Sequence, residues 1–340
     1  MNIKSPSVAV VILSWNDSKN TIECLESVFK SDYLNYDVIL VDNNSDYIHF
    51  NKVLDWCRKK GVNINAINFK YKISKKKDKN KLYIYRIKEI ANIKFAKNLG
   101  VARGYNKGFD YILKKKYDFF IRLDCDFLIP INLISGMIKT FQNNQEAAAV
   151  SPKVYYHIKK KTKIIWWTHL NYTKNYFRFQ RTGKGAGRRE LDNGQFKGII
   201  SSDSICGCCV MFKSKIIRYA IKNHPERKKV LDEDFFFGPE DMELSHRLKK
   251  HGKILVNLDY HAYHKVSQSI FVSGVKENVY FGTIGWLLIT KKICTKQDQI
   301  VTRIFFFLRA IINIVKFLYK KDKNPHIGFL MGLKDYFIKY

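Results

Sequence analysis

A chain of 340 residues with 46% hydrophobic and 14% aromatic side chains can bury a full core, which excludes a disordered segment. Repeats, Gly/Ser linkers and proline-rich tracts are absent, so one large α/β domain or two small ones are expected. The formal charge of +31 calls for an anionic partner: nucleic acid, an anionic membrane surface or phosphorylated substrates. Its lysines, however, lie in scattered runs (Lys75 to Lys77, Lys114 to Lys116, Lys159 to Lys161), the ordinary pattern of solvated faces.

The first residues carry no signal-peptide pattern and the seven cysteines are odd in number and scattered, so a reducing cytosol is expected. Residues 8–13 are a continuous apolar run, predicted as a buried parallel strand, and end at Ser14-Trp15-Asn16-Asp17-Ser18, where a helix can be capped. The helix predicted over 18–30 sets Ile22, Leu25, Val28 and Phe29 on one face. A second buried strand at 36–41 runs into Asp42-Asn43-Asn44-Ser45 before a helix over 47–60. Strand, helix, strand, helix predicts a parallel sheet. Asp42, at the carboxyl end of that strand, has the place to contact a base or ribose, and equally the place of a helix cap.

Residues 70–90, rich in Lys and Tyr around Lys79-Asn80, are expected as a surface hairpin. The stretch from Asn98 to Gly108 predicts a Gly/Asn-rich loop opening a helix that ends near 116. Glycines there permit close backbone approach, and a helix start attracts phosphate. It is neither a Walker loop nor a dinucleotide fingerprint. Next, an apolar strand from Tyr117 runs into Asp124-Cys125-Asp126. Positions two apart in a strand share a face, so both carboxylates can converge at the carboxyl edge, where open α/β sheets bind ligands. Such a pair suits a hard divalent ion whose shell is completed by water and substrate phosphates, and an isolated Asp-x-Asp is also what a solvated strand-end turn looks like.

A helix at 131–143 and a strand at 147–155 continue the sheet. The 156–203 stretch is aromatic and basic (Trp166, Trp167, Tyr172, Tyr176, Phe177, Phe179, Arg181, Arg188, Arg189), with Gly183, Gly185 and Gly187 predicting a mobile loop. Interleaved aromatics and arginines suit single-stranded nucleic acid, sugar rings or phosphates, and an ordinary hairpin insert would read the same. In the strand predicted at 205–212, Cys206-Gly207-Cys208-Cys209 lacks the second cluster that a zinc site needs, so buried small hydrophobes are expected. After a helix at 214–222 comes Gly238-Pro239-Glu240-Asp241-Met242-Glu243, opening a helix. Acidic residues suit a first helical turn by themselves, and a carboxylate fixed there beneath an aromatic wall also makes a good general base. A strand at 253–258 leads to His261-Ala262-Tyr263-His264, histidines that fit a structural role or a third ligand beside a carboxylate-bound metal.

In the last 65 or so residues no run reaches the ~18 apolar residues needed to span a bilayer. Over 303–320, Arg309, Asn313, Lys316 and Lys320 fall on one narrow stripe and the rest is mainly Ile, Phe, Leu and Val. A helix of that kind packs under the domain, dimerises or lies in an anionic membrane surface, the last being favoured by the basic flanks.

Four features in this order resemble family 2 glycosyltransferases of the GT-A fold: the strand ending in Trp15-Asn16, Val41-Asp42-Asn43-Asn44-Ser45, the Asn98-to-Gly108 stretch and Leu123-Asp124-Cys125-Asp126. Gly207, Glu240-Asp241 and Tyr263-His264 fall where rhamnosyltransferase-like members carry them, and the resemblance covers about 8–270. It implies an α/β GT-A domain over 1–270, with a nucleotide-binding half to about 130 and an acceptor half after it; the amphipathic pattern beyond it predicts a helical membrane-associating or dimerising tail over 271–340. It also implies inverting sugar transfer from a nucleotide-diphosphate sugar to a hydroxyl acceptor; taken with the basic amphipathic tail, a UDP- or dTDP-linked donor and a lipid-linked or oligosaccharide acceptor at the inner face of the cell membrane are expected. By the same resemblance Mg or Mn would be held by Asp124, Asp126 and His264. Asn16, Asp42, Asn98, Gly100, Gly104, Asn106 and Asp124 would hold the donor, Asp241 would be the base, and Glu240 would flank it. Arg122 in the strand, Pro239 before the acidic pair and the long 70–90 insert depart from the family pattern. The Gln-x-x-Arg-Trp string of processive synthases is missing, so single addition is expected. The rival readings are a basic nucleic-acid binder with steep salt dependence, an inactive GT-A scaffold, and nucleotidyl transfer, which would need a different Gly-rich start near residue 14.

Overall fold

A computed structural model describes residues 5–69, 81–171, 187–224, 228–266 and 274–340. The tip of the expected 70–90 hairpin, with Lys79 and Asn80, lies outside them, as do Tyr172, Tyr176, Phe177, Phe179, Arg181, Gly183 and Gly185.

The first half is doubly wound. Strand β1 (Val8–Ser14) is followed by α1 (Ser18–Val28), β2 (Tyr36–Asn43), α2 (Tyr47–Lys60), β3 (Ile64–Ala66), β4 (Leu82–Ile87), α3 (Gly100–Lys115) and β5 (Phe119–Asp124). Strand β1 is apolar along its length because both its faces are covered. Val8, Val10 and Ile12 join the core under α1 and α2, while Ala9 and Val11 join the core under α3. Strand β4 corrects the expected hairpin. Leu82, Ile84 and Ile87 are buried, and the strand runs parallel between β3 and β2. Its apolar alternation with Tyr83 and Tyr85 is the mark of a sheet strand.

The second half adds β6 (Phe127–Leu128), α4 (Leu133–Asn143), β7 (Ala147–Ile158), β8 (Lys160–Trp167), β9 (Ile199–Ser201), β10 (Cys209–Lys213), α5 (Ser214–Lys222), α6 (Glu240–Leu248) and β11 (Lys253–His264). Among the described residues one mixed sheet runs β3-β4-β2-β1-β5-β10-β7-β11-β6, with β8 beside β7 and β9 beside β11. The portion from β3 to β5 is parallel throughout, and β10 joins β5 antiparallel. Strand β10 starts later than predicted, because residues 206–208 turn before it; Cys206 and Cys209 are buried, as expected of small hydrophobes. Strand β11 runs on past 258 to His264 through an irregularity between Asn257 and His261.

Three helices close the chain: α7 (Val275–Ile293), α8 (Lys296–Tyr319) and α9 (Asn324–Lys339). They share a third core with Phe235 and with Met242 of α6, so the boundary expected near 270 divides the sequence rather than the packing. Gly285 of α7 lies against the Gly238 carbonyl, where a Cβ would come within 2.5 Å.

Candidate active site

A cavity of about 410 Å³ opens at the carboxyl ends of β1, β2 and β5. Strand β5 stops at Asp124, and Cys125-Asp126 form a turn, so the two carboxylates are not the same-face strand pair that the spacing predicts. Both nevertheless line the cavity. Strand β11 pairs antiparallel with β6, setting His264 opposite Phe127, and the Lys265 N–H donates to the Asp126 carbonyl (3.0 Å). That pairing brings His264 Nε2 to 3.3 Å from Asp126 Oδ2. The imidazole is held between Phe127 (4.5 Å, stacked) and Trp166 (4.3 Å, edge-on), and its Nδ1 is buried without a hydrogen-bond partner among the described residues.

An oxygen and an imidazole nitrogen on adjacent positions of an octahedral ion, each bonded at ~2.1 Å, lie about 3 Å apart. The Asp126–His264 pair therefore fits a divalent cation with positions left for substrate oxygens. Asp124 does not join it, and among the described residues no three His, Cys, Asp or Glu side chains converge as a metal site. Asp124 Oδ1 instead accepts the Tyr105 hydroxyl (2.6 Å). Burial raises the Asp124 carboxyl above its ordinary range, against the opposing pull of Arg122.

Arg122, which precedes Asp124 by two in an otherwise apolar strand, is buried and donates from Nη2 to Glu240 Oε1 (2.7 Å). Its guanidinium lies 4.6 Å over the Tyr105 ring. Glu240 is thus a buried ion-pair partner that ties α6 to β5, not a second acid facing substrate. Asp241, next along α6, is only partly buried. Its Oδ1 accepts the Met242 N–H (2.8 Å), and its Oδ2 lies so close over residue 207 that a Cβ there would come within 2.6 Å. Glycine at 207 leaves room for that carboxylate. Cys208, beside it, lines the cavity, so Asp241 sits one residue behind the wall. Burial first, and then Glu240, push its carboxyl up to about 6.

The structure redistributes the expected donor contacts. Asn98 and Gly100 line the cavity, with Asn98 Oδ1 accepting the Gly100 N–H (2.7 Å). Gly100 has φ +79 and presses on the Phe236 carbonyl, which accepts the Val101 N–H (2.7 Å). Helix α3 begins there, so most of the expected loop is helix, and these two early amides already have protein partners. Gly104 faces Leu13 and Asn43 and serves helix-to-sheet packing. Asn106 is buried, donating to the Leu231 carbonyl (2.9 Å) and Glu233 (3.0 Å) and accepting from the Leu231 N–H (3.0 Å), which straps α3 to 231–233. Asn16, at φ +50, exchanges hydrogen bonds with Asp46 and joins two loops, while its neighbours Trp15 and Asp17 line the cavity. Asp42 turns toward Arg86 (3.5 Å), and Asn43, on the other face of β2, lines the cavity.

Sequence reasoning missed Tyr105, Lys97, Asp17, Asn43 and, from α7, Glu277, Asn278 and Phe281 as parts of this site. A lone arginine in an apolar strand was the available sign of a buried partner such as Glu240. Nothing local in 275–293 signals that α7 forms a wall.

Residues 76–219, from ahead of β4 to within α5, match the family model described as Glycosyl transferase family 2. No curated protein matches the chain in sequence. Among solved structures it is similar to GalNAc-T7 with UDP, GalNAc and Mn2+, at 14% identity and a TM-score of 0.52 over 83% of this chain. The chain spans 48% of that structure's length. It is also similar to the mannosyltransferase PcManGT from Pyrobaculum calidifontis in complex with GDP-Man and Mn2+, at 12% identity, a TM-score of 0.53 and coverage of 99% and 89% of the two chains. S. aureus TarS 1–349 is similar at 12% identity and a TM-score of 0.50, with coverage of 97% and 80%. The chain has the GT-A fold, and its 76–219 segment has the family 2 pattern.

Proposed function

We propose that this chain transfers a sugar from a nucleotide-diphosphate sugar to a hydroxyl of a glycan acceptor, with inversion at the anomeric carbon. The observation that carries the reading is the Asp126–His264 pair in the wall of a 410 Å³ cavity at the carboxyl edge of a GT-A sheet. Asp126 and His264 would hold Mg or Mn, which when bound would neutralise charge on the departing diphosphate. Lys97 and Arg188, both in the cavity wall, would pair with the same phosphates. Asp124, steadied by the Tyr105 hydroxyl, is placed to accept hydrogen bonds from donor hydroxyls. Trp15, Phe95, Phe236 and Phe281 offer flat apolar faces for base or sugar rings.

Asp241 is the base in this reading. It takes the acceptor hydroxyl proton as that oxygen forms a bond to the anomeric carbon, and the carbon's bond to the diphosphate oxygen breaks on the opposite face, its electron pair leaving with the diphosphate. A carboxyl pushed up to about 6 is ionised at neutral pH and holds a proton better than an ordinary aspartate, which suits that task. A UDP- or dTDP-sugar is the donor proposed, and a lipid-linked glycan at the inner face of the cell membrane the acceptor. Incubating the protein with Mn and a panel of UDP-, dTDP- and GDP-sugars, and reading nucleoside diphosphate release with and without glycan acceptors, tests it. Release from one donor, stimulated by one acceptor class, is expected; no release from any donor would sink the reading.

A further inference from the structure

Helix α8 is amphipathic with its faces reversed from the soluble norm. Only Phe306, Ala310 and Asp298 of its 24 residues are buried. The polar stripe turns toward α9: Arg309 lies 5.0 Å over the Phe329 ring, and Asn313 Oδ1 pairs with His326 Nδ1 (2.8 Å). The opposite side carries Ile304, Phe307, Leu308, Ile311, Val315 and Leu318, all at least half exposed or nearly so, with Tyr319 82% exposed at the end. With Ile312 and Ile314, which are also half exposed, these positions span an arc of about 160° at 100° per residue, far wider than the seam of a paired helix.

We propose that this face lies in the plane of an anionic lipid surface, with its apolar side chains among the acyl chains and its cations among phosphate headgroups. The charge of the helix chooses lipid over a second copy of the chain. From Gln299 to Lys321 there is no acidic residue, whereas Arg303, Arg309, Lys316, Lys320 and Lys321 are basic. Two such faces brought together would bring the cations at their margins, Arg303 and Lys316, toward like charges, while anionic headgroups neutralise them. No described helix is long and apolar enough to cross a membrane, so the face fits an in-plane helix. Helix α7, which lines the cavity, leads directly into α8, so lipid docking would hold the cavity near the surface where a lipid-linked acceptor presents its glycan. The lipid contact itself stands apart from the sugar-transfer reading.

The test is co-sedimentation of the full chain, without donor or metal, with phosphatidylcholine vesicles and with vesicles containing about one-third phosphatidylglycerol. Binding to anionic vesicles at least about tenfold tighter than to neutral ones, weakened by salt, is expected. Phe307→Glu with Ile311→Glu should abolish it without changing thermal unfolding, because both side chains are exposed. Lys316→Gln with Lys320→Gln should weaken it about tenfold or more. Undiminished binding of the Glu pair overturns the proposal. So does failure of the unaltered chain to sediment; if light scattering then shows a dimer that the Glu pair breaks, the face belongs to a second copy.

Discussion

Asp241 is subject to opposing influences that can be separated by substitution. Burial and Glu240 raise its carboxyl, Arg122 and the Met242 N–H lower it, and the balance stands at about 6. A base must be ionised, so kcat/KM should rise about tenfold per pH unit below pH 6 and level off above it, as initial rates across pH 4.5–8.5 would show. A profile that falls with rising pH through 6 would contradict the assignment. The same shift has a cost in stability. A carboxyl whose folded pKa exceeds its unfolded one near 4 stabilises the fold below pH 4 and loses that contribution as pH rises through 6. Asp241→Asn should therefore stabilise the protein at pH 8 by on the order of 2 kcal/mol in urea unfolding, with the gain shrinking toward pH 4. An equal or reduced stability at pH 8 would show that the carboxylate is not held under strain. At this scale residue types were legible in the sequence and directions were not. Asp42 and Asn43 are adjacent in one strand and face opposite sides, and only the sheet's position decides that Asn43 meets the cavity. Asn106 and Gly104 look like ligand-loop residues in sequence because α3 uses the same small and amide side chains to pack against β1 and 231–233.

Between elements, the Arg122–Glu240 pair joins β5 to α6 across the core. Removing one partner leaves a buried charge unpaired, so Arg122→Met or Glu240→Leu alone should each cost about 3–5 kcal/mol in denaturant unfolding. The double substitution should restore most of that loss, and a double variant as unstable as the sum of the singles would argue that the pair is not the coupling. On the other side of β1, a Cβ on residue 108 would lie 2.6 Å from Val11 and 2.9 Å from Val41. Gly108→Ala should thus lower stability by about 1–3 kcal/mol through displacement of α3, despite alanine's better helix propensity. The parallel half was readable because β1 and β2 are apolar on both faces and alternate with helices. Strand β4 was misjudged because its flanking lysines outweigh, to the eye, the buried Leu82, Ile84 and Ile87.

For the whole molecule, a GT-A sheet, an acid-and-imidazole corner and a three-helix tail combine into one site, since α7 supplies part of the cavity wall. The charge of +31 need not imply nucleic acid; Lys97 and Arg188 face the cavity, and others border the apolar face of α8. The central claim is that Asp126 and His264 hold the metal–diphosphate end of a nucleotide-sugar. Isothermal calorimetry of the protein with UDP, dTDP and GDP, each with Mn and with EDTA, tests it most directly. The account predicts metal-dependent binding of one nucleotide, weakened at least about a hundredfold in Asp126→Asn and in His264→Ala but kept within about twofold in Asp241→Asn. Metal-independent binding, or binding that survives both Asp126→Asn and His264→Ala, would contradict it.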